Sequence, residues 1–177
     1  MGLLFPKGER GLEAWVEGRL GEIFGPIERR SGEFAFDYTD YYKNISPELT
    51  RCFFSFSGLR GAQGLADWKR DAICLEAESA LGESGRRVNI DPGYLDGAKL
   101  ALASTKDNAH RIYLRDGIFA ETTMCRRKNG WERFSFTFPD FRSGVYDAFL
   151  DLVRLDWRRD LRNIRKENGA KGGENDR

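Results

Sequence analysis

The chain is poor in the residues from which metal and redox centres are made: its 177 residues hold three cysteines and one histidine. Cys52, Cys74 and Cys125 are odd in number, far apart and without a C-x-x-C spacing, which argues against a disulfide framework and a thiolate zinc site. With His110 alone there is no H-E-x-x-H pattern. A metal would have to be a hard cation held by carboxylates, and no run of acidic residues spells out such a cage, so no metal site is expected and no cofactor can be named. Long apolar runs are missing too. None approaches the roughly 20 residues that span a bilayer, and Met1 to Phe5 is too short for the apolar part of a signal peptide. The expectation is a soluble, cytoplasmic protein without membrane contact. Finally there is no charge of one sign, since 29 basic and 28 acidic side chains cancel to +1. That excludes a strongly basic nucleic-acid arm, and nucleic acid is not an expected partner.

What is present is enough apolar and aromatic matter for a core: 40% apolar residues, with 13 Phe, 6 Tyr and 4 Trp. A chain of this length buries about 70% of its unfolded surface as one domain. From Glu9 to Phe24, Leu12, Trp15, Val16, Leu20, Ile23 and Phe24 recur at helical spacing on one face, and Gly25-Pro26 ends the pattern. Gly2 to Phe5 and the less regular Ile27 to Phe36 read as flanking strands. Thr50 to Phe56 alternates, with Cys52, Phe54 and Phe56 on one face and Arg51, Phe53 and Ser55 on the other, as in a strand with one deeply buried face. Gln63 to Leu81 returns to helical period, closed by Gly82. Arg87 to Asp91 is a short strand stopped by Pro92-Gly93.

Strand, helix, strand, strand, helix, strand is the order of a ferredoxin-like split β-α-β unit. The second half adds Lys99 to Ser104, His110 to Leu114 and Ile118 to Cys125, with Asp116-Gly117 as a strong hairpin signal. Phe134 to Phe138 reads as one more strand, and Val145 to Ile164 as a C-terminal helix. The expected fold is α+β: a ferredoxin-like antiparallel sheet extended by the hairpin in the C-terminal half, with helices packed on one face. A single domain would cover 1–164. Residues 165–177, with Ala170 as their only apolar member, would be a disordered polar tail.

A two-residue turn at Asp116-Gly117 would set His110 opposite Thr123, Ile112 opposite Glu121 and Leu114 opposite Phe119, all on one face. Glu121 would then lie diagonal to His110, within reach of it. A carboxylate beside an imidazole is a general acid-base arrangement, although structural pairs of this kind are the commoner case. Ser104, Thr105, Lys106 and Asn108 form a polar loop between strands, able to surround an anion, yet neither the glycines nor the helix of a P-loop are there. Asn89 and Asp91 alternate with Val88 and Ile90, so a strand end would deliver a carboxylate to a ligand. An ordinary turn before Pro-Gly explains them equally well.

Several segments carry a resemblance: Phe24-Gly25-Pro26-Ile27, Tyr38-Thr39-Asp40-Tyr41-Tyr42 and Arg87 to Leu95. It continues through Leu102 to Lys106, His110 to Leu114, Gly117 to Glu121 and Phe138-Pro139-Asp140-Phe141-Arg142. Together they resemble an uncharacterised bacterial family known only as domain of unknown function 4416, over nearly the whole chain up to the C-terminal helix. The resemblance implies no mechanism. Relatives have several more residues leading into the first strand, so the start used here is expected to fall late.

The leading expectation is a polar pocket for a small anionic ligand, phosphate- or nucleotide-bearing. Lys106 and Arg111 would supply charge, and Asn89, Ser104 and Thr105 hydrogen bonds. His110, Glu121 and Asp91 would handle any proton transfer, whether or not the protein is an enzyme. Strand alternation points Arg111 away from His110 and Glu121, which makes it the weakest member. The rival is a non-enzymatic interaction module that meets a protein or nucleic-acid partner through the C-terminal helix, where Arg154, Arg158, Arg162 and Lys166 recur every fourth residue. Asp151, Asp156 and Asp160 would offset that stripe.

Overall fold

The computed structural model describes residues 1–81 and 85–172 and shows an α+β protein with two antiparallel sheets. The first half runs β1 (Gly2–Pro6), α1 (Arg10–Phe24), β2 (Ile27–Arg30), β3 (Phe34–Phe36), β4 (Leu49–Phe56), α2 (Leu65–Glu78) and β5 (Asn89–Asp91). These strands pair in the order β2-β4-β1-β5, with β3 following β2 along the same edge of β4. At the break between β2 and β3, Ser31 keeps the edge closed. Its N–H donates to Phe53 O and its Oγ accepts the Phe53 N–H, both at 2.9 Å.

Alternation divides this sheet into two unlike faces. Leu3, Phe5, Cys52, Phe54 and Ile90 point to one side, where Val16, Leu20 and Phe24 of α1 and Ala72 and Leu75 of α2 close a dry core over them. Trp15, expected on the buried face of α1, is partly exposed at its margin, while Glu13 on the buried stripe pairs with Arg30. Leu4, Arg51, Phe53, Asn89 and Asp91 point to the other side. There β4 is as buried as on the first side, whereas its sequence pattern suggested one deep face.

What buries that second side is a separate sheet, where a single extended one was expected. It consists of β6 (Gly93–Leu95), β7 (Lys99–Ser104), β8 (Ile112–Arg115), β9 (Ile118–Arg127) and β10 (Gly130–Arg133), in the order β10-β9-β7-β6 with β8 beside β9. The chain leaves the first sheet at Pro92, which has no N–H to continue a ladder. Its carbonyl instead accepts from Ala103 N at 3.0 Å, which starts the second sheet. Directly after it, Gly93 passes so close to β7 that a Cβ there would lie 2.4 Å from Ala101 O.

The β8–β9 hairpin turns at Asp116 and Gly117, with φ of 54° and 73° as a two-residue turn of this hand requires. Its register differs from a plain count. Arg115 faces Ile118, but an irregularity at Leu114 shifts the rest, so that Tyr113 faces Phe119 and Ile112 faces Ala120. His110 and Arg111 precede the strand, and neither is paired opposite Thr123 or Glu121. Phe134 to Phe138, expected as a strand, is a turn leading into α3 (Pro139–Arg142).

α4 (Asp147–Gly172) lies across both sheets. Leu150 packs with Phe53 and Met124, Asp156 pairs with Arg29 of β2, and Asp151 accepts from Arg126 and Trp131 at 3.1 Å. Helices therefore cover both sides of the first sheet instead of one. α4 also runs on past Ile164 to Gly172, through residues read as the start of a disordered tail. Arg165, Lys166 and Glu167 are good helix formers, and no proline interrupts them. Gly82, expected to close the second helix, and residues 173–177 lie outside the described residues. Among those described, no helix is long and apolar enough to cross a membrane.

Candidate functional site

Where the polar face of the first sheet meets the second sheet there is a cavity of about 490 Å³. Asn89, Asp91, Ser104, Thr105, Lys106, Arg111 and Glu121, all singled out from sequence, line it. Separate elements bring them together: Asn89 and Asp91 from β5, Ser104 from the end of β7, Glu121 from β9, and the others from the β7–β8 loop. His110 does not line the cavity. It stacks flat on Phe136, 4.3 Å between ring centres, and touches Glu121 from behind.

Glu121 is buried and fully engaged. Its Oε2 accepts from Arg111 Nε at 2.7 Å and lies 3.0 Å from His110 Nε2, while Thr123 donates to Oε1 at 3.3 Å. Arg111 is thus the centre of the loop, not an outlier. It sits before β8, so strand alternation does not govern it, and its own N–H donates to Asn108 O at 2.9 Å to turn the chain. Nη1 donates to Ser104 Oγ at 2.7 Å and to Lys106 O at 2.9 Å. Among the described residues no hydrogen-bond partner is placed for Nη2. Ser104 Oγ also accepts the Lys106 N–H at 3.1 Å. With both lone pairs occupied, its own proton is left to donate.

The floor was not anticipated. Arg51, whose side chain is 4% exposed, reaches in from β4 between two carboxylates: Nη2 donates to Asp91 Oδ2 at 3.3 Å, and Nε lies 3.7 Å from Asp140 Oδ2. Nε is buried and has no hydrogen-bond partner among the described residues. Lys69 of α2 donates to Ile90 O at 2.7 Å and lies 3.7 Å from Asp91 Oδ1, while Glu76 accepts the Ile90 N–H at 2.7 Å and pairs with Arg86. The helix side chains stand in for a missing neighbour at the β5 edge. Lys69 and Glu76 were legible in principle, as polar residues on the otherwise apolar stripe of α2.

The electrostatics follow from this placement. Burial works against charge on Asp91, but Lys69, Arg51 and the Asn89 amide outweigh it and hold the carboxyl below its ordinary range. Burial wins at Asp140 and raises its pKa, despite Arg51 and the Tyr146 hydroxyl, which donates at 3.2 Å. Tyr42 is likewise pushed up, by burial and then by Asp91.

The walls are aromatic. Phe36, Tyr38, Tyr41 and Tyr42 come from β3 and the turn after it, and Phe138 from the turn before α3. The cations lie over these rings: Arg51 over Phe36 at 5.0 Å, Lys106 over Tyr41 at 3.4 Å, and Arg111 over Phe138 at 5.9 Å. No group of three His, Cys, Asp or Glu side chains is placed to hold a metal among the described residues. A more apolar cavity of about 340 Å³ beside α4 shares Asp91, Leu102 and Phe141 with this one. Its cations are fewer, so the larger cavity is the better candidate for an anion.

Comparison with known proteins places the chain in a family but gives it no activity. A family model described as Domain of unknown function (DUF4416) matches residues 1–157, and the chain belongs to that family. No curated protein and no solved structure matches it.

Proposed function

We propose that this family member binds a small anionic ligand, phosphate- or nucleotide-bearing, in the cavity between its two sheets. The observation that carries the reading is the set of donors left over there. Arg111 is held by Glu121 with Nη2 to spare, Ser104 has a proton to give, and Lys106 stands beside them at the mouth. Groups that can only donate select an acceptor-only partner, which an anion is. Glu121 and His110 serve as positioning residues for Arg111 in this reading, and Asp91 is the carboxylate within reach of a ligand. The first sheet is read as a ferredoxin-like unit, supported by its order β2-β4-β1-β5 and by α1 and α2 on one face.

The test is a thermal-shift screen of the purified protein against inorganic phosphate, sugar phosphates and nucleotides, repeated on Lys106→Ala. A ligand at about 100 times its dissociation constant adds about 2.7 kcal/mol, or roughly 5–10 °C for a domain of this size. The expected result is such a rise with one class of anion, reduced in the variant. No rise with any anion would overturn the reading.

A second reading, partner binding through α4, has one observation in its favour. The acids expected to offset the basic stripe are engaged elsewhere, Asp151 with Arg126 and Asp156 and Asp160 with Arg159. Arg158 and Arg162 are left exposed without an ion-pair partner among the described residues. Reversing both to Glu would abolish partner capture under this reading and leave anion binding unchanged under the first.

A further inference from the structure

The cavity is unequal from end to end, and that inequality narrows its ligand. This step rests on the cavity being an anion site. At the floor, Arg51 and Lys69 are matched by Asp91 and Asp140, so no positive charge is left over there for an anionic ligand. At the mouth the balance is reversed: Lys106 and Arg111 face one carboxylate, Glu121, whose oxygens are turned to Arg111, His110 and Thr123. An anionic group therefore belongs at the mouth, and only neutral polar groups at the floor. There an acceptor would satisfy the partnerless Arg51 Nε, and donors would meet the carboxylates.

Between the two ends the walls are rings. Tyr41 and Tyr42 meet edge to face at 4.8 Å, and Phe36 meets Tyr42 at 5.9 Å. A flat ring stacks on such walls with a gain of about 0.5–1.5 kcal/mol beyond its buried area, and a flexible alkyl chain does not. The volume, about 490 Å³, is that of a site for a ring system with a substituent.

We infer that the ligand is a planar aromatic or heteroaromatic ring bearing one anionic substituent, the ring held between the tyrosine turn and Phe138 and the anion at the mouth between Lys106 and Arg111. Tyr41 is a specificity residue in this arrangement. It is 54% exposed, so its removal leaves the core intact.

The experiment is calorimetric titration of the full chain with four probes: 1-naphthyl phosphate, hexyl phosphate, inorganic phosphate and 1-naphthol. Each is run on the wild type and on Tyr41→Ala, with a thermal melt to show that the variant is folded. The expected result is that 1-naphthyl phosphate binds about two- to tenfold more tightly than hexyl phosphate, the margin that stacking of this strength supplies. Tyr41→Ala is expected to erase most of that margin, lowering affinity for 1-naphthyl phosphate more than for hexyl phosphate or inorganic phosphate. Equal affinity for the naphthyl and hexyl esters would overturn the ring and leave the anion site standing. Binding of 1-naphthol as tight as its phosphate would overturn the anion site itself, and so would failure of every phosphate to bind.

Discussion

The two faces of the first sheet are built from neighbouring residues of the same strands, yet they differ in kind. Cys52, Phe54 and Ile90 are sealed under α1 and α2 in an apolar core with the Glu13–Arg30 pair beside it, and burial pushes the Cys52 thiol up to about 12. Arg51, Asn89 and Asp91, each one residue away, face a cavity where Asp91 is held charged by its neighbours. The period of two that makes a strand also lets it pack an apolar core on one side and carry charged groups on the other. The dry face tolerates loss of function and little loss of volume. The wet face carries buried charges whose desolvation is offset by pairing.

The comparison breaks most visibly on the dry side. Phe54→Ala should cost about 3–5 kcal/mol and lower the melting temperature by roughly 10 °C, while titration below the melt finds anion affinity unchanged. On the wet side, Glu121→Ala strands the guanidinium of Arg111, whose side chain is 3% exposed, and should cost about 3 kcal/mol in denaturant unfolding. Glu121→Gln keeps an acceptor and should cost less.

Acidity separates two carboxyls within the wet face. Asp91 has a depressed pKa, so the stability it contributes is present above the ordinary aspartate range and is lost as pH falls through its lower folded value. Melts recorded from pH 7 downward should therefore fall more steeply below about pH 4 in the wild type than in Asp91→Asn. Asp140 has a raised pKa, so its contribution is full below that range and is lost as pH rises through its folded value. Relative to wild type, Asp140→Asn should grow more stable between about pH 4 and pH 7. A parallel pH dependence of the two variants would show that the two carboxyls share one environment. Tyr41→Ala should be the smallest change, within about 0.5 kcal/mol in stability, with its effect felt in ligand binding instead.

Much of this was legible in the sequence, and its limits have physical causes. The alternation at Thr50 to Phe56 separated Arg51 from Cys52, but only a second covering layer makes Arg51 a buried charge, and no local pattern announces that layer. Pro92 ends the first sheet through a missing donor that the sequence itself shows, whereas the approach of Gly93 to β7, too close for a Cβ, is a contact that the dipeptide does not announce. The loop from Ser104 to Arg111 stood out because polar residues crowd it. The role of Arg111 was hidden because extending strand alternation two residues too early, to His110, reversed its direction. One irregularity at Leu114 likewise shifted every pair beyond it. The tyrosines of the turn after β3 were visible as a motif, and only the fold shows which cavity they wall.

The most direct test of the division between the two faces is a backbone amide NMR titration of the full chain with inorganic phosphate. The account predicts saturable shifts at Ser104, Thr105, Lys106 and Arg111, with Leu3, Cys52 and Phe54 unmoved. Shifts confined to Arg158 and Arg162 of α4, or none at the loop at saturating phosphate, would contradict it.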